Sequence, residues 1–383
     1  MKIGILTQPL HSNYGGLLQA YALQTILKRL GHNPYIIQRE YPKTPIMKPL
    51  WDIHLLNIAR FILGKEIQYH ITQKEIDRIR INTQKFIDNE IQPKTSKLYT
   101  DKEMDRCIAK EKFEAYIVGS DQVWRKAYSP NIFNYFLDFC KDDKGVKKLS
   151  YAASFGTDNL VDYTQTEIEQ CKTLAKLFDG ISVRESSGVD IVNKHFGTGA
   201  EFVLDPTLLL DKEHYVNLIK GKTITANNGK VFYYILDKND KTYETVEKVA
   251  QSKGTTAFTV YPELPINEKN IRKEIEKCIY PGVYDWINAF NNAEMVLTDS
   301  FHGCVFSIIF NKPFWVFINE NRGSARFDSL LGLFGLQDRI IKTKKNDIVT
   351  FDSRKEIDWD SVNKIIKDKQ KDSLNFITNI LEK

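Results

Sequence analysis

A chain of 383 residues, 42% hydrophobic and 27% charged, is long enough for two or three domains with sizeable cores, and disorder as its main state is excluded. A formal charge of +5, from 54 basic against 49 acidic residues, gives no ground for a nucleic acid or a membrane surface as partner. Five scattered cysteines (Cys107, Cys140, Cys171, Cys278 and Cys304) without a C-x-x-C pair argue against a disulfide framework or a cysteine-rich zinc site, so a reducing cytosol is the expected home.

The apolar run Ile3 to Leu6 is too short for a secretory signal and reads as a buried strand. A polar loop follows from Thr7 to Gly16. Leu23, Ile26, Leu27 and Leu30 then fall at i, i+3, i+4 and i+7, one face of a helix that Gly31 ends. Pro34 to Gln38 adds a second strand and completes a right-handed βαβ unit. From Lys43 to Lys112 the alternation fades, and pieces such as Leu55 to Leu63 and Ile71 to Ile91 predict an inserted helical subregion. Short apolar runs return at Tyr116 to Val118, Leu149 to Ala153, Ile181 to Arg184 and Phe202 to Leu204, the pattern of a parallel sheet covered on both faces.

After Asp211 the pattern restarts. Strands are predicted at Val231 to Leu236, Ala257 to Val260, Met295 to Leu297 and Phe314 to Phe317, with helices at Tyr243 to Gln251, Val283 to Asn291 and His302 to Phe310. The tail from Ile357 to Leu381 has helical spacing, and no segment approaches the ~18 unbroken apolar residues of a membrane-spanning helix. The expected fold is α/β, with two doubly wound Rossmann-like domains. The first covers residues 1–210, with its helical insert at about 43–112; the second covers 211–345. A C-terminal helix, 346–383, is expected to pack back on the first domain. Such pairs bind ligands in the cleft between them, beyond the carboxyl ends of the strands.

Familiar signatures are missing: there is no G-x-G-x-x-G after the first strand, no G-x-S-x-G elbow and no H-E-x-x-H. Asp358-Trp359-Asp360 spells D-x-D, but it opens the C-terminal helix, where acidic residues offset the macrodipole. No metal site and no cofactor are expected.

Three strand-to-helix junctions remain. In the loop Asn13-Tyr14-Gly15-Gly16, leading to Gln19, paired glycines either open the backbone N–H groups to a ligand or simply turn the chain. In Val118-Gly119-Ser120-Asp121, Asp121 is placed to hold a sugar hydroxyl or act as a base, or else to cap a helix. Thr298 to Gly303 ends a strand and opens a helix, so a phosphate beside His302 would be favoured there. That makes His302 either a proton donor or phosphate ligand, or a structural histidine in a cleft. Arg184, Arg322 and Arg326 each follow a strand, and guanidinium suits bidentate binding of carboxylate or phosphate as well as ion pairs between domains.

Taken in order, these segments resemble the polysaccharide pyruvyl transferase family. The matching runs are Asn13 to Gly16 with the following helix, Gly119-Ser120-Asp121, Ser150 to Gly156, Ser182-Val183-Arg184-Glu185, Asp205 to Leu209, and Asp299 to Gly303 continuing to Lys312-Pro313. The resemblance implies a fold like that of the two-domain GT-B glycosyltransferases. It implies transfer of the pyruvyl group of phosphoenolpyruvate to hydroxyls of a glycan or lipid-linked sugar, giving a cyclic ketal and phosphate. Arg184 and His302 match the family's donor-site arginine and histidine. Many members carry arginine two positions before that histidine, where this chain has Ser300, so either Arg322 or Arg326 is expected to supply the lost charge or the donor chemistry differs.

Phosphoenolpyruvate carries a charge of roughly −3 near neutral pH. Its chemistry needs an acid for the methylene carbon, cations for carboxylate and phosphate, and a base for the attacking hydroxyl. The expected catalytic pair is His302 and Asp121. Arg184, Ser300, Gly303, Arg322 and Arg326 are expected on the donor side, with Asn13, Gly15, Gly16 and Gln19 in the loop or on the acceptor side. Two rivals stay open, a glycosyltransferase using a nucleotide sugar and a non-enzymatic two-lobed binder of anionic sugars.

Overall fold

In the computed structural model, which describes residues 1–42, 71–224, 229–237, 240–318, 324–342 and 355–382, every apolar run that ends at a polar junction is a strand of one of two parallel sheets. The first sheet contains β1 (Lys2–Leu6), β2 (Asn33–Ile36), β3 (Ala115–Val118), β4 (Lys147–Ala153), β5 (Gly180–Val183) and β6 (Glu201–Phe202), in the order β2-β1-β3-β4-β5-β6. The second contains β7 (Val231–Tyr234), β8 (Ala257–Phe258), β9 (Met295–Thr298), β10 (Phe314–Ile318) and β11 (Ile340–Lys342), in the order β11-β10-β9-β7-β8. All of β3 and all of β9 are buried, which is why neither shows a polar alternation.

The helices are α1 (Tyr14–Arg29), α2 (Gln73–Ile79), α3 (Ile81–Glu90), α4 (Asp101–Glu111), α5 (Gln165–Ala175), α6 (Ser186–Ile191) and α7 (Lys212–Ile219). They continue with α8 (Asp240–Ser252), α9 (Glu268–Glu274), α10 (Val283–Asn292), α11 (Phe301–Ile309), α12 (Ala325–Leu333) and α13 (Trp359–Leu381). Helix α1 begins where Asn13 accepts a hydrogen bond from Gly16 N and stops before Gly31, whose φ of +84° only glycine adopts without strain.

The insert departs from expectation in one respect. The single helix read at Ile71 to Ile91 is two helices, α2 and α3, broken at Arg80. The Ile79 carbonyl accepts from Tyr280 N (2.8 Å), and Asn82 Nδ2 donates to the Tyr280 carbonyl (2.9 Å), so a distant segment takes a place in the helical ladder. Ile79 also packs with Ile271 and Cys278, which ties the insert to the second sheet's helices. The other helix read in the insert, Leu55 to Leu63, lies outside the described residues.

Helix α13 returns to the first sheet. Ser373 Oγ accepts from Leu204 N (3.0 Å), Gln370 Nε2 donates to the Leu208 carbonyl (2.6 Å), and Phe376 and Ile380 lie against Gly180. Asp358 is its N-cap and accepts from Ser361 N (3.1 Å), which accounts for the D-x-D run without a metal.

The strand orders place the site. The first sheet reverses direction between β1 and β3, and the second between β7 and β9. Crevices at such switch points, beyond the carboxyl ends of the strands, are where open α/β sheets bind ligands. The β1 and β3 ends carry the Asn13 loop and Asp121; the β9 end carries His302. One continuous apolar cluster joins the two sheets through Tyr14, Leu18, Tyr215, Trp286 and Phe306, so these crevices face each other.

Candidate active site

At the end of β3 the chain turns sharply. Asp121 has φ +73°, a left-handed conformation that aspartate tolerates better than most residues. Its backbone carbonyl accepts from Ser154 N (3.0 Å), which locks the turn to the loop after β4. Oδ1 accepts from Gln122 N (2.9 Å) and from Arg184 Nη2 (3.3 Å). Oδ2 faces the start of α1, where a Cβ on Gly16 would stand 3.3 Å away.

Arg184 follows β5 directly and is 1% exposed. Nη1 donates to Asp205 Oδ2 (2.8 Å), and the guanidinium lies 4.3 Å from the centre of the Phe301 ring. Its Nε has no partner among the described residues. Burial would lower its proton affinity, but Asp205, Asp121 and Glu185 together raise it, so the charge is permanent.

Asp205 stands just past β6 and opens the turn Pro206–Leu209, accepting on Oδ1 from Thr207 N (3.0 Å) and Thr207 Oγ1 (2.6 Å). Oδ2 takes Arg184 and lies 3.4 Å from Ser120 Oγ. His302 Nε2 is 3.5 Å from the same oxygen, an ion-pair separation rather than a well-aligned hydrogen bond. Burial pushes the Asp205 carboxyl up, but His302, Arg184 and Thr207 outweigh it and hold the group well below the usual carboxylate range.

His302 sits in the first turn of α11. Ser300 is the N-cap of that helix, accepting from Gly303 N (3.4 Å), and its own N–H donates to Thr298 Oγ1 (3.1 Å). The other face of the His302 ring meets Gly15. A Cβ there would fall inside contact distance of Nδ1, so the glycine is what lets the imidazole and α1 approach.

Arg326, from α12, completes the group. Part of the residue is exposed, but its Nε is buried without a partner among the described residues. The guanidinium is 6.0 Å from the centre of the Phe301 ring, opposite charge being supplied by Glu185 and Asp121. Burial and repulsion by Arg184 push its pKa down to about 10. Beside it Ser186 N donates to Ser329 Oγ (3.0 Å), joining α6 to α12 across the cleft.

The structure thus gathers Asp121, Arg184, Ser300, His302, Arg326, Gly15 and Gly16 at one place. Asn13 caps α1 at its edge. Gln19 is turned inward, donating to Thr7 Oγ1 and the Gly16 carbonyl (both 2.8 Å), and Gly303 packs against Thr298. Both serve the local fold. Arg322 lies outside the described residues. Three participants were not singled out by sequence reasoning: Asp205, Glu185 and Phe301. Asp205 was findable, since it precedes a proline at a strand end as Asp121 precedes a turn. The charge balance was not: Arg184 interacts with Asp205, Asp121 and Glu185, and Arg326 with Glu185 and Asp121, rather than forming a bare cationic clamp. Among the described residues no three His, Cys, Asp or Glu side chains are grouped to hold a metal ion.

Two doubly wound parallel sheets with facing switch points define a GT-B-type α/β fold. The chain is similar to the UDP-GlcNAc 2-epimerase from Neisseria meningitidis bound to UDP-GlcNAc, at 10% identity and a TM-score of 0.52, covering 100% of this chain and 99% of that one. It is similar also to the UDP-GlcNAc 2-epimerase of Methanocaldococcus jannaschii in complex with UDP-GlcNAc and UDP, at 12% identity and a TM-score of 0.50, covering 100% and 99%. At such identities the likeness concerns the fold alone. The family is shown by sequence: the profile of the polysaccharide pyruvyl transferases matches residues 13–321, and the chain belongs to that transferase family. No curated protein matches it by sequence.

Proposed function

We propose that the protein transfers the pyruvyl group of phosphoenolpyruvate to two hydroxyls of a sugar in a surface polysaccharide or its precursor, releasing phosphate. The observation that carries this reading is His302, held between Asp205 and Gly15 in a cleft that also contains Arg184 and Arg326. With Asp205 facing Nε2, the nitrogen turned to the glycine loop is Nδ1, and which of them carries the proton follows from the partner of the other.

In this scheme His302 donates a proton to the methylene carbon of phosphoenolpyruvate. Cationic character develops on the central carbon, and a sugar hydroxyl adds there while Asp121 accepts its proton. Phosphate then leaves with the C–O bonding pair, and a second hydroxyl closes the ketal, its proton passing to the basic groups of the site. Arg326, with its unpartnered Nε, and Arg184 supply the cations for the donor. The Phe301 ring lies near both guanidinium groups and offers an apolar surface for the three-carbon unit.

A thermal-shift comparison tests the donor. A ligand at 100 times its Kd adds about 2.7 kcal/mol of stability, a shift of several degrees in Tm at roughly 2–4 °C per kcal/mol or somewhat less. Phosphoenolpyruvate is expected to give that shift, and uridine or guanosine diphosphate sugars are not, with sulfate at matched ionic strength as control. A larger shift with a nucleotide sugar, and none beyond sulfate with phosphoenolpyruvate, replaces this reading by a glycosyltransferase.

A further inference from the structure

Glu185 takes part in none of these steps, yet it is the most enclosed acid of the site. It follows Arg184, it is wholly buried, and its Oε1 accepts from Phe155 N (2.7 Å) and Gly156 N (3.3 Å). Its Oε2 has no hydrogen-bond partner among the described residues. A buried carboxylate oxygen without a partner is costly, and two things relieve it: a nearby cation or a proton. The cations are present. Arg184 adjoins it on the same strand end, and Arg326 approaches from α12, with Ser154 of the loop after β4 also favouring the charged form. Beyond Arg326 stand Asp121 and Arg125, and beyond Arg184 stand Asp205 and His302.

Arg184 already directs its two terminal nitrogens to Asp205 and Asp121. Glu185 therefore depends on the remaining field of Arg184 and on Arg326, the same guanidinium groups that an anionic ligand would engage. We infer that Glu185 is the proton acceptor linked to anion binding: when an anion engages Arg184 and Arg326, Glu185 loses its counter-charge and takes one proton from solvent onto Oε2. No other bond changes. As a positioning residue it then holds the Phe155–Gly156 loop through Oε1 in both protonation states. The identity of the anion as phosphoenolpyruvate rests on the function proposed above; the linkage does not.

Burial already pushes the Glu185 carboxyl up, with Arg184 and Arg326 opposing it. Withdrawing that opposition raises it further. Between the free and the bound value one proton enters with the anion, so affinity falls by up to about tenfold per pH unit as pH rises through that window.

The test is calorimetric titration of the full chain with sodium sulfate, which exchanges no proton near neutrality, and separately with phosphoenolpyruvate. Each is run in two buffers of different ionisation heat. Wild type is expected to take up about one proton per sulfate, Glu185→Gln none, and Glu185→Asp again close to one. Circular dichroism checks that the variants are folded. If Glu185→Gln is not, the wild-type sulfate affinity between pH 5 and 8 decides, and a flat profile overturns the inference. It is also overturned if wild type takes up no proton, if folded Glu185→Gln takes up as many as wild type, or if no anion binds. Proton uptake with sulfate, together with phosphoenolpyruvate binding no better than sulfate, keeps the linkage and removes the proposed donor. Pyruvyl transfer without proton uptake does the reverse.

Discussion

Replacing Asp205 by asparagine keeps the shape of the side chain and removes the one charge that Arg184 and His302 share. In wild type Oδ2 accepts from Arg184 Nη1 at 2.8 Å, both side chains are 1% exposed, and His302 Nε2 is 3.5 Å away. In the variant the Thr207 contacts to Oδ1 survive, but an amide NH2 in place of Oδ2 sets donor against donor at Arg184. Breaking a buried pair by removing one partner costs about 3–5 kcal/mol. Arg184 keeps Asp121 at 3.3 Å, which places the expected loss at the lower end, ~3 kcal/mol. At roughly 2–4 °C per kcal/mol for domains of 150–250 residues, Tm should fall by about 6–12 °C.

The pH dependence gives a sharper check. The folded Asp205 carboxyl lies well below its unfolded value. Its stabilisation is therefore complete above the unfolded value of about 3.9 and is lost as pH falls from there towards the folded one. The gap between wild type and Asp205→Asn should narrow by up to about 1.4 kcal/mol per pH unit as pH falls below ~4. Urea unfolding followed by circular dichroism at pH 7, 5 and 3.5 measures it. A gap under about 1 kcal/mol at pH 7, or one that widens as pH falls from 5 to 3.5, would refute the placement of Asp205 as the buried counter-ion of this site.

Three further substitutions probe the same cluster. His302→Ala should lower turnover by roughly 10²–10⁴-fold with the fold retained, and wild-type turnover in a folded variant would remove His302 from the mechanism. Arg184→Lys leaves an ammonium that cannot reach Asp205 and Asp121 together, so the donor KM should rise about tenfold or more; steady-state kinetics with an unchanged KM would make Arg184 a purely structural residue. Gly15→Ala puts a methyl where the His302 ring now stands. A displacement of about 1 Å there should cost up to ~10² in kcat, with circular dichroism unchanged, and an unaltered kcat would show that the ring does not work from this position.

Much of the architecture was open to sequence reading because a parallel strand buried on both faces is a bare apolar run. β1, β3, β4, β5, β7, β9 and β10 announce themselves in this way, and helix α1 is bounded by Asn13 and Gly31, whose roles are local. The junctions Asp121 and His302 were legible for the same reason: a strand end and a helix start are written in neighbouring residues. The break between α2 and α3 was not, since it depends on Tyr280, some two hundred residues away. Helix α12 and strand β11 were missed because α12 is a short helix of nine residues and β11 is a three-residue edge strand.

By itself, then, the order of residues determined most of the strands, the first helix and which polar groups stand at the junctions, because backbone preference and hydrophobic period act over a few residues. Tertiary structure alone decided what those polar groups are worth. Arg184 reads from sequence either as an anion clamp or as an ion-pair partner; folding places it against Asp205 and Asp121, sets His302 on Gly15, and leaves Glu185 with one oxygen unanswered. Charge–charge energies and the cost of burial depend on distance and on exclusion of water, and both are fixed only when segments far apart in the chain close on one cleft.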